Sequence, residues 1–468
     1  MKTKNLLQTI AISLVSFVVC LGLFSCEMQD VTNVDRDAAR IETKHISPEM
    51  AKVRDYVPDM AVVAHRGSVF WVPEETEAAW RWAREMGADY LESDLQCSKD
   101  GVILANHDDN LKRTTNIENV FGETVPATRV EFYKKYAGMS QAEAEAQVQA
   151  DRLSFTPFYT KSYFYEELMM LDAGTWFNED MPEQAREAFS TQKQYVSTLE
   201  DQIKYAEGKM LKRDAQGERV YTLTGTWDPA NPHTCLTYKF EYVEDEVSNG
   251  NHPGIYLEFK ESWLNPSNFE QMVYDELDRL GWNIITKPEP ADAPFYTKNE
   301  KGENVVNVAN TNGKVILQTF SWESLRRSAE IYKGQIPMCF LLWHDKITPT
   351  QYASYIDIAV DNLAHIIGPS IAGAPNNYFE MNTPWMHDMI RRAGMLNHPY
   401  SFDTMEQMHV YFGDWHYGAS DFKAPYLDGL FTNRTELTLQ YMIDKGLRHK
   451  DAPQTVENAQ DCLTRLGY

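Results

Sequence analysis

The sequence predicts an α/β fold, a TIM (β/α)8 barrel with a long insertion between the second and third barrel strands. Short apolar segments of strand length alternate with amphipathic helical segments, and this alternation is typical of a parallel sheet. Eight such strands can be counted, which is the number that closes a TIM barrel. A hydrophobic content of 43% with 12% aromatic residues is sufficient for a large packed core.

The predicted strands are short apolar runs. They are Ala61–Ala64, Tyr90–Leu95, Ile255–Phe259, Val315–Phe320, Met338–Trp343, His365–Ile367, Met395–Asn397 and Leu427–Phe431. The predicted helices are Glu75–Met86, Asn268–Leu280, Trp322–Tyr332, Trp385–Ala393, Met405–Phe412 and Leu437–Lys445. Gly87 directly follows the first of these helices and is a favourable residue for ending it.

Residues 116–251 are too many for one connection between barrel elements. They include a predicted helix at Gln141–Ala150 and an aromatic segment, Phe155–Tyr165. Polar and acidic residues are frequent, as in the stretch from Glu241 to Asn251. We expect a folded insertion over the barrel mouth that leaves a narrow, polar entrance.

The N-terminus has the pattern of a secretory signal. Lys2 and Lys4 precede a largely apolar run from Leu6 to Phe24, and Ser25 stands directly before Cys26. This resembles bacterial lipoproteins, in which the cysteine is lipidated after cleavage. It predicts a signal peptide at 1–25, a tether at 26–58 and a barrel domain at 59–468. The alternative is an uncleaved membrane anchor, although the run is near the lower limit of ~17–25 residues.

Charge and cysteine content exclude two classes of function. The formal net charge is −24, and no cluster of Lys and Arg offers a face for nucleic acid. Beyond the signal and Cys26, the cysteines are Cys97, Cys235, Cys339 and Cys462, whose spacing matches no zinc motif. Cys339 lies among apolar residues and is expected to be a buried thiol; disulfide pairing is left open.

Ionisable side chains gather at or just after predicted strands. They are His65 and Arg66, Glu92 and Asp94, His107 and Asp108, which follow a further short apolar run at Val102–Leu104, and Glu258 and Lys260. Side chains at strand ends converge only if the strands lie side by side, so this spacing implies a site. Carboxylates for a cation, two imidazoles for proton transfer and a guanidinium for an anion suit phosphodiester hydrolysis.

These motifs resemble those of the glycerophosphodiester phosphodiesterases, most closely the periplasmic type. The segments that follow the order and spacing of the family are His65-Arg66-Gly67, Pro73-Glu74-Glu75-Thr76, 87–95, 98–101, His107-Asp108, 254–260, 318–320, 367–369, 398–401 and 428–433. The resemblance extends from about Ala61 to Met442. Leu257 and Arg434-Thr435-Glu436 depart from the family pattern, and the insertion is poorly matched, which leaves substrate choice open.

The resemblance implies that Glu92, Asp94 and Glu258 bind one divalent cation. Three carboxylates without His or Cys favour Ca²⁺ or Mg²⁺ over zinc. It also implies that Arg66 and Lys260 hold the phosphate oxygens.

The resemblance further implies that His65 and His107 transfer protons. The sequence does not fix which is acid and which is base, although His107 is favoured as the acid. Asp108 either orients His107 or caps the following turn, and we expect the cap. His344 is expected to be a buried structural histidine.

Three smaller expectations concern the surroundings of these motifs. Gly67 is expected to permit a close backbone approach just after the first strand. Gln318 and Trp343 lie at later strand ends and are candidate pocket walls.

The expected function is an envelope enzyme, anchored by a lipid on Cys26, that hydrolyses small glycerophosphodiesters to sn-glycerol 3-phosphate and an alcohol. One alternative is a phospholipase-like barrel acting on lysolipids or intact lipids, which should have an apolar rim. Another is a lipid-anchored binding protein without catalysis, which would be expected to lack a histidine or a carboxylate of the set. The polar insertion favours deacylated diesters, while the head group, the oligomeric state and the membrane leaflet are not determined.

Overall fold

The computed structural model describes residues 36–260, 262–413 and 424–468. The predicted signal peptide at 1–25 and the first ten residues of the predicted tether, among them Cys26, lie outside these ranges. Residues 36–58, also assigned to the tether, pack on the barrel. Ala38 and Met50 are buried there, and Lys44 forms an ion pair with Asp361 at 2.6 Å.

Eight parallel strands, labelled β1 to β8 in chain order, form the barrel. They are Ala61–Ala64, Tyr90–Cys97, Gly254–Phe259, Val315–Thr319, Met338–Leu342, Ile366–Pro369, Leu396–Asn397 and Gly429–Thr432. Their spatial order is β7-β6-β5-β4-β3-β2-β1-β8. The two ends of this order also meet, because the Asp428 N–H donates to the Asn397 carbonyl at 2.8 Å and the Phe431 N–H to the Pro399 carbonyl at 3.0 Å. The predicted barrel is confirmed.

Helices cover the outside of the strands. Those that follow barrel strands are Glu77–Met86, Phe269–Arg279, Trp322–Tyr332, Pro349–Asp361, Pro384–Arg392, Met405–Phe412 and Thr435–Asp444. Pro349–Asp361 was not among the predicted helices. It begins with a capping box in which Thr348 and Gln351 bond reciprocally, and with Pro349 in its first turn. Further short helices are Pro48–Arg54 and Ala459–Arg465.

Aromatic side chains fill the barrel interior below the site. Tyr90, Tyr256 and Phe431 are buried, with ring centroids 5.9 Å apart for the first pair and 4.9 Å for the second. Tyr90 also donates a hydrogen bond to the Gly313 carbonyl at 2.9 Å. The N-terminal half of the barrel is therefore a packed core, and chemistry is confined to the C-terminal end.

The insertion is a folded layer on the side of the barrel. Its helices are Ile117–Val120, Arg129–Tyr136, Gln141–Asp151, Tyr165–Leu168, Thr175–Asp180, Ala188–Thr191 and Leu199–Ala206. Its strands are Lys209–Leu211, Tyr221–Gly225, Leu236–Phe240 and Tyr242–Glu244. The helix Leu199–Ala206 takes the place between β2 and β3, where Gln202 bonds to Ser93 and to the Leu91 carbonyl.

Two short antiparallel pairs complete the fold. Ile103–Ala105 pairs with the end of β2, and Tyr296–Lys298 pairs with Asn304–Val306. Within the described ranges, no helix has both the length and the apolar character needed to cross a bilayer. The four cysteines in those ranges are free thiols, and Cys339 is buried as predicted.

Candidate functional site

A cavity of about 640 Å³ opens at the C-terminal ends of the strands. Six of the predicted site residues line it, namely His65, Arg66, Glu92, His107, Glu258 and Lys260. Asp94 is not itself among the lining residues, but it forms ion pairs with Arg66 and Lys260 of this set. Gln318 and Trp343 also line the cavity, as predicted.

The turn after β1 places His65 and Arg66. Arg66 has φ +49° and Gly67 has φ +81°, both in the left-handed region. A Cβ on Gly67 would lie 2.5 Å from the Cβ of Ala79, so the turn lies directly against the helix Glu77–Met86. This is the close approach that the glycine predicts. The turn also aims the Arg66 N–H at Glu92 Oε2, at 2.8 Å.

Glu92, Asp94 and Glu258 form a compact carboxylate cluster. Asp94 and Glu258 are opposite each other in the β2–β3 register, and Glu92 lies two residues earlier on the same face of β2. All three are buried, and one oxygen from each lies within 4.8 Å of the others. Burial and the neighbouring Asp94 raise the pKa of Glu92, and they raise the pKa of Glu258 to about 8 although Lys260 opposes the shift.

The cluster fits a divalent cation. Oδ2 of Asp94 is buried and makes no hydrogen bond in the structure. Three oxygen donors with crowded negative charge are the set that Ca²⁺ or Mg²⁺ prefers, and a bound cation would relieve their repulsion. Two further contacts orient the cluster. The Gln318 Nε2 donates to Glu92 Oε1 at 2.8 Å, and the Asp94 N–H donates to Glu75 Oε1 at 2.7 Å.

Two cationic side chains border the cluster. Lys260 Nζ lies 3.1 Å from Glu258 Oε1 and 3.4 Å from Asp94 Oδ1. Arg66 Nε lies 3.4 Å from Asp94 Oδ2, and its Nη1 lies 3.7 Å from Glu74 Oε2. Burial opposes ionisation of Asp94, but Lys260, His107 and Arg66 together hold its pKa well below the usual range. The site can therefore present positive charge to a phosphate beside its carboxylates.

A polar chain orients His65. Its Nδ1 lies 2.7 Å from Oδ1 of Asn433, and the Asn433 Nδ2 donates to Asp403 Oδ1 at 2.8 Å. Asn376 donates to the other oxygen of Asp403 at 2.8 Å. Burial, together with the charge of Arg66, lowers the pKa of His65 to about 3.

The sequence did not predict this series of hydrogen bonds, since Asn433 and Asp403 were assigned no role. The available signal for Asn433 was its place directly after β8, next to β1 in the closed barrel. Asp403 had no comparable signal, because it lies in a loop.

His107 has a different support. Its Nδ1 lies 2.5 Å from Asp108 Oδ1, so Asp108 orients the ring, and the expectation that Asp108 only caps a turn was wrong. Arg113 donates to Asp108 Oδ2 at 2.7 Å and holds both oxygens of Glu74. Arg113 was also missed. Burial lowers the pKa of His107, while the charge of Asp94 and the hydrogen bond to Asp108 oppose that shift.

The insertion supports this loop from outside. The Thr160 N–H donates to the Asp109 carbonyl at 2.9 Å, and the Trp176 ring lies 5.8 Å from the Arg113 guanidinium. No described residue of 116–251 is among those lining the cavity. The expected position over the mouth is therefore corrected, because the insertion packs beside the mouth and buttresses the loop that carries His107.

The expected polar character of the mouth is corrected as well. Across from the carboxylates, the cavity is lined by aromatic side chains that include Phe320 and Trp343. Trp343 is 57% exposed. His344 is exposed at the cavity edge, with Nδ1 2.7 Å from the Asp345 carbonyl, and is not the buried histidine that was predicted.

Known proteins resemble the chain in sequence and in fold. The model of the glycerophosphoryl diester phosphodiesterase family matches residues 65–224. A glycerophosphodiester phosphodiesterase of Bacillus subtilis (strain 168) is 26% identical over 421 residues, covering 90% of this chain and 94% of that protein. A glycerophosphodiester phosphodiesterase of Arabidopsis thaliana is 29% identical over 397 residues, covering 80% of this chain and 83% of that protein.

Among solved structures, a phosphodiesterase of Oleispira antarctica in complex with the product sn-glycerol-3-phosphate aligns with a TM-score of 0.44 and 15% identity. The alignment covers 84% of this chain and 99% of that chain.

Proposed function

We propose that the chain is an enzyme of the glycerophosphodiester phosphodiesterase family, and that it releases sn-glycerol 3-phosphate and an alcohol by acid–base catalysis with one divalent cation. The observation that carries the proposal is the convergence of three carboxylates, two cationic side chains and two separately oriented histidines at one end of the barrel. The substrate in this proposal is a small glycerophosphodiester.

Glu92, Asp94 and Glu258 would hold the cation, which supplies charge stabilisation to the phosphoryl oxygens when bound. Arg66 and Lys260 are placed to bind the same oxygens, the guanidinium as a fork and the ammonium as a point charge. Because both are already oriented by buried carboxylates, little reorganisation is needed as negative charge develops on the phosphate.

His65 is the general base in this proposal. An ionised Asp403 accepts hydrogen bonds and donates none. The Asn433 amide must therefore direct its Nδ2 to Asp403 and its Oδ1 to His65. The proton of His65 is then on Nδ1, and the lone pair on Nε2 is free to take a proton from the attacking oxygen. The low pKa of His65 keeps the ring neutral at neutral pH.

His107 is the general acid. Its Nδ1 donates to Asp108, and this carboxylate opposes the loss of the imidazolium form, which burial disfavours and an acid requires. The Nε2 proton passes to the leaving alcohol oxygen as its P–O bond breaks, while a water molecule forms the new P–O bond and gives a proton to His65. Asn433 and Asp108 thus act as positioning residues that give the two rings opposite roles.

The proposed location is the cell envelope, on the periplasmic or cell-surface side, with a lipid on Cys26. Support comes from the order of Lys2 and Lys4, the apolar run Leu6–Phe24, and Ser25 before Cys26. All of these residues lie outside the described ranges.

The two alternatives are less well supported. The exposed aromatic residues Phe320 and Trp343 at the cavity agree with the apolar rim expected of the phospholipase-like alternative, but the two long alignments are to glycerophosphodiester phosphodiesterases. A binding protein without catalysis would have no need of two histidines that are each held by their own polar partners.

The test is to identify the products of the reaction. Purified protein is incubated with glycerophosphocholine and Mg²⁺ or Ca²⁺, and the phosphorus-containing product is monitored by ³¹P NMR. A glycerol 3-phosphate resonance with free choline supports the proposal. Phosphocholine with free glycerol would contradict the proposed cleavage position, and an unchanged diester would contradict the activity.

A further inference from the structure

Four aromatic residues form one side of the cavity, and we name them the aromatic wall: Phe320, Trp343, Tyr378 and Tyr400. They come from the ends of β4 and β5 and from the segments after β6 and β7. Consecutive rings contact one another, with centroids 5.7 Å apart for Phe320 and Tyr400, 5.9 Å for Tyr400 and Tyr378, and 5.7 Å for Tyr378 and Trp343.

The rings meet at angles and do not stack. The interplanar angles are 88°, 54° and 53° along the same series. Rings at such angles make a concave surface that can present several π-faces to one group. Trp343 is 57% exposed and Phe320 39% exposed, and contiguous exposed aromatic surface of this kind marks a binding site.

Polar partners are scarce along this side. The Tyr400 hydroxyl already donates to the Leu342 carbonyl at 3.0 Å. Of the described lining residues from Gln318 to Phe431, the polar ones are Gln318, Ser321, His344 and three tyrosines, and none carries a carboxylate, a lysine or an arginine. An alcohol with many hydroxyls, or a primary ammonium with three N–H donors, would lose hydrogen bonds to water on entering.

We propose that the aromatic wall binds the alcohol arm of the substrate and selects alcohols that carry a quaternary ammonium group, such as choline. This inference rests on the proposed function. A quaternary ammonium has no N–H donors to satisfy, and its charge is attracted by the faces of Trp and Tyr. The overall charge of −24 also favours the approach of a cationic group.

The two halves of the cavity assign the two arms of the diester. The glycerol arm has two hydroxyls that need polar partners, and the half of the cavity beside the carboxylate cluster offers Gln318, whose buried Oε1 makes no hydrogen bond in the structure. The alcohol arm must then leave the phosphate in the other direction, towards the wall. The scissile oxygen lies on that arm in the proposed reaction.

The experiment compares kcat/KM for three diesters of glycerol phosphate: with choline, with ethanolamine and with 3,3-dimethylbutanol, the uncharged isostere of choline. We expect choline to exceed both others by about tenfold, which lies between the scales of an exposed and a desolvated cation–π contact. Trp343→Ala should bring the choline preference to within about threefold.

Trp322→Ala is the matched control. Trp322 is 59% exposed, a fraction similar to that of Trp343, but it is not among the cavity-lining residues. Its removal should therefore leave the choline preference unchanged. Equal or higher efficiency with the dimethylbutyl diester in the wild type would overturn the inference and make the wall an apolar surface only. Equal loss of preference in the Trp322 variant would also overturn it.

Failure of the proposed function can be distinguished from failure of the inference about the aromatic wall. If none of the three diesters is cleaved, the proposed function fails, and saturation-transfer NMR with tetramethylammonium then tests the wall alone. Binding that Trp343→Ala removes and Trp322→Ala keeps supports the inference; no binding to the wild type contradicts it.

Discussion

The Nδ1 atom of His65 lies 2.7 Å from the Oδ1 atom of Asn433, which joins the ends of β1 and β8, two neighbouring strands that are the first and last of the barrel. Asp403 fixes the amide of Asn433 from the other side. The histidine therefore has one tautomer, with the lone pair of Nε2 available. The proposed role of His65 as base depends on residues more than 330 positions away in the chain.

The Asp403 carboxyl should govern the acid limb of the pH profile. Burial raises its pKa to about 6, against the hydrogen bonds from Asn433 and Asn376. Below that pH the carboxyl gains a proton and becomes a weaker acceptor, so the orientation of Asn433 and His65 loosens and kcat/KM falls as pH decreases. In Asp403→Asn the amide can still accept from Asn433 but cannot titrate, so this limb should disappear from the kcat/KM profile.

Asn433→Ala serves as the comparison, because it removes the contact to His65 at every pH. Its kcat should be about 10- to 100-fold lower across the profile, a fraction of what a general base contributes. A limb near pH 6 that persists unchanged in Asp403→Asn would contradict the role of Asp403.

His65→Ala and His107→Ala should each lower kcat for glycerophosphocholine by roughly 10²–10⁴-fold. The leaving group separates their roles. A p-nitrophenyl diester of glycerol phosphate leaves without protonation, so His107→Ala should recover most of its activity on that substrate. His65→Ala should remain equally impaired on both. The reverse pattern would exchange acid and base, and near-wild-type kcat in either variant would remove that residue from the mechanism.

The barrel could be predicted because its signals are local. Each strand is an apolar run of the right length, such as Val315–Thr319, and Trp322–Tyr332 has the amphipathic pattern of a covering helix. The motif residues could be placed together because the ends of parallel strands converge. The helix Pro349–Asp361 was missed because residues 349–361 carry a weak apolar periodicity, although its capping box is readable in Thr348 and Gln351.

The supports of the site could not be predicted, since they depend on loop conformations. Asp403 and Arg113 lie in loops, where neither periodicity nor strand-end position indicates a contact. The position of the insertion was missed for the same reason. Chain connectivity places residues 116–251 after β2, but only packing decides whether they cover the mouth or lie against the loop at Asp109.

Cation binding should be visible as stabilisation. If Glu92, Asp94 and Glu258 hold a divalent cation, saturating Ca²⁺ or Mg²⁺ should raise the Tm of the chelator-treated wild type, because a ligand that binds the folded state stabilises it. Asp94→Ala and Glu258→Ala should stay folded and lose this shift in differential scanning fluorimetry. Glu323→Ala, which removes an exposed carboxylate outside the cluster, is the control and should keep it. A full Tm shift in both cluster variants would show that the cation binds elsewhere.

Cys26→Ala tests the proposed anchor. Without the sulfur that carries the lipid, the protein should leave the membrane fraction or fail to mature. Cys235→Ala removes another thiol without touching the signal and should not change fractionation. Membrane association of Cys26→Ala at the wild-type level would contradict the lipoprotein assignment.

The most direct test of the central claim is the turnover of glycerophosphocholine by purified enzyme that has been treated with EDTA and then titrated with Mg²⁺ or Ca²⁺. The account predicts that EDTA abolishes release of glycerol 3-phosphate in the wild type and that one of the two cations restores it. Glu258→Ala should stay inactive throughout the titration. Full activity of the wild type in EDTA would contradict the metal-dependent mechanism.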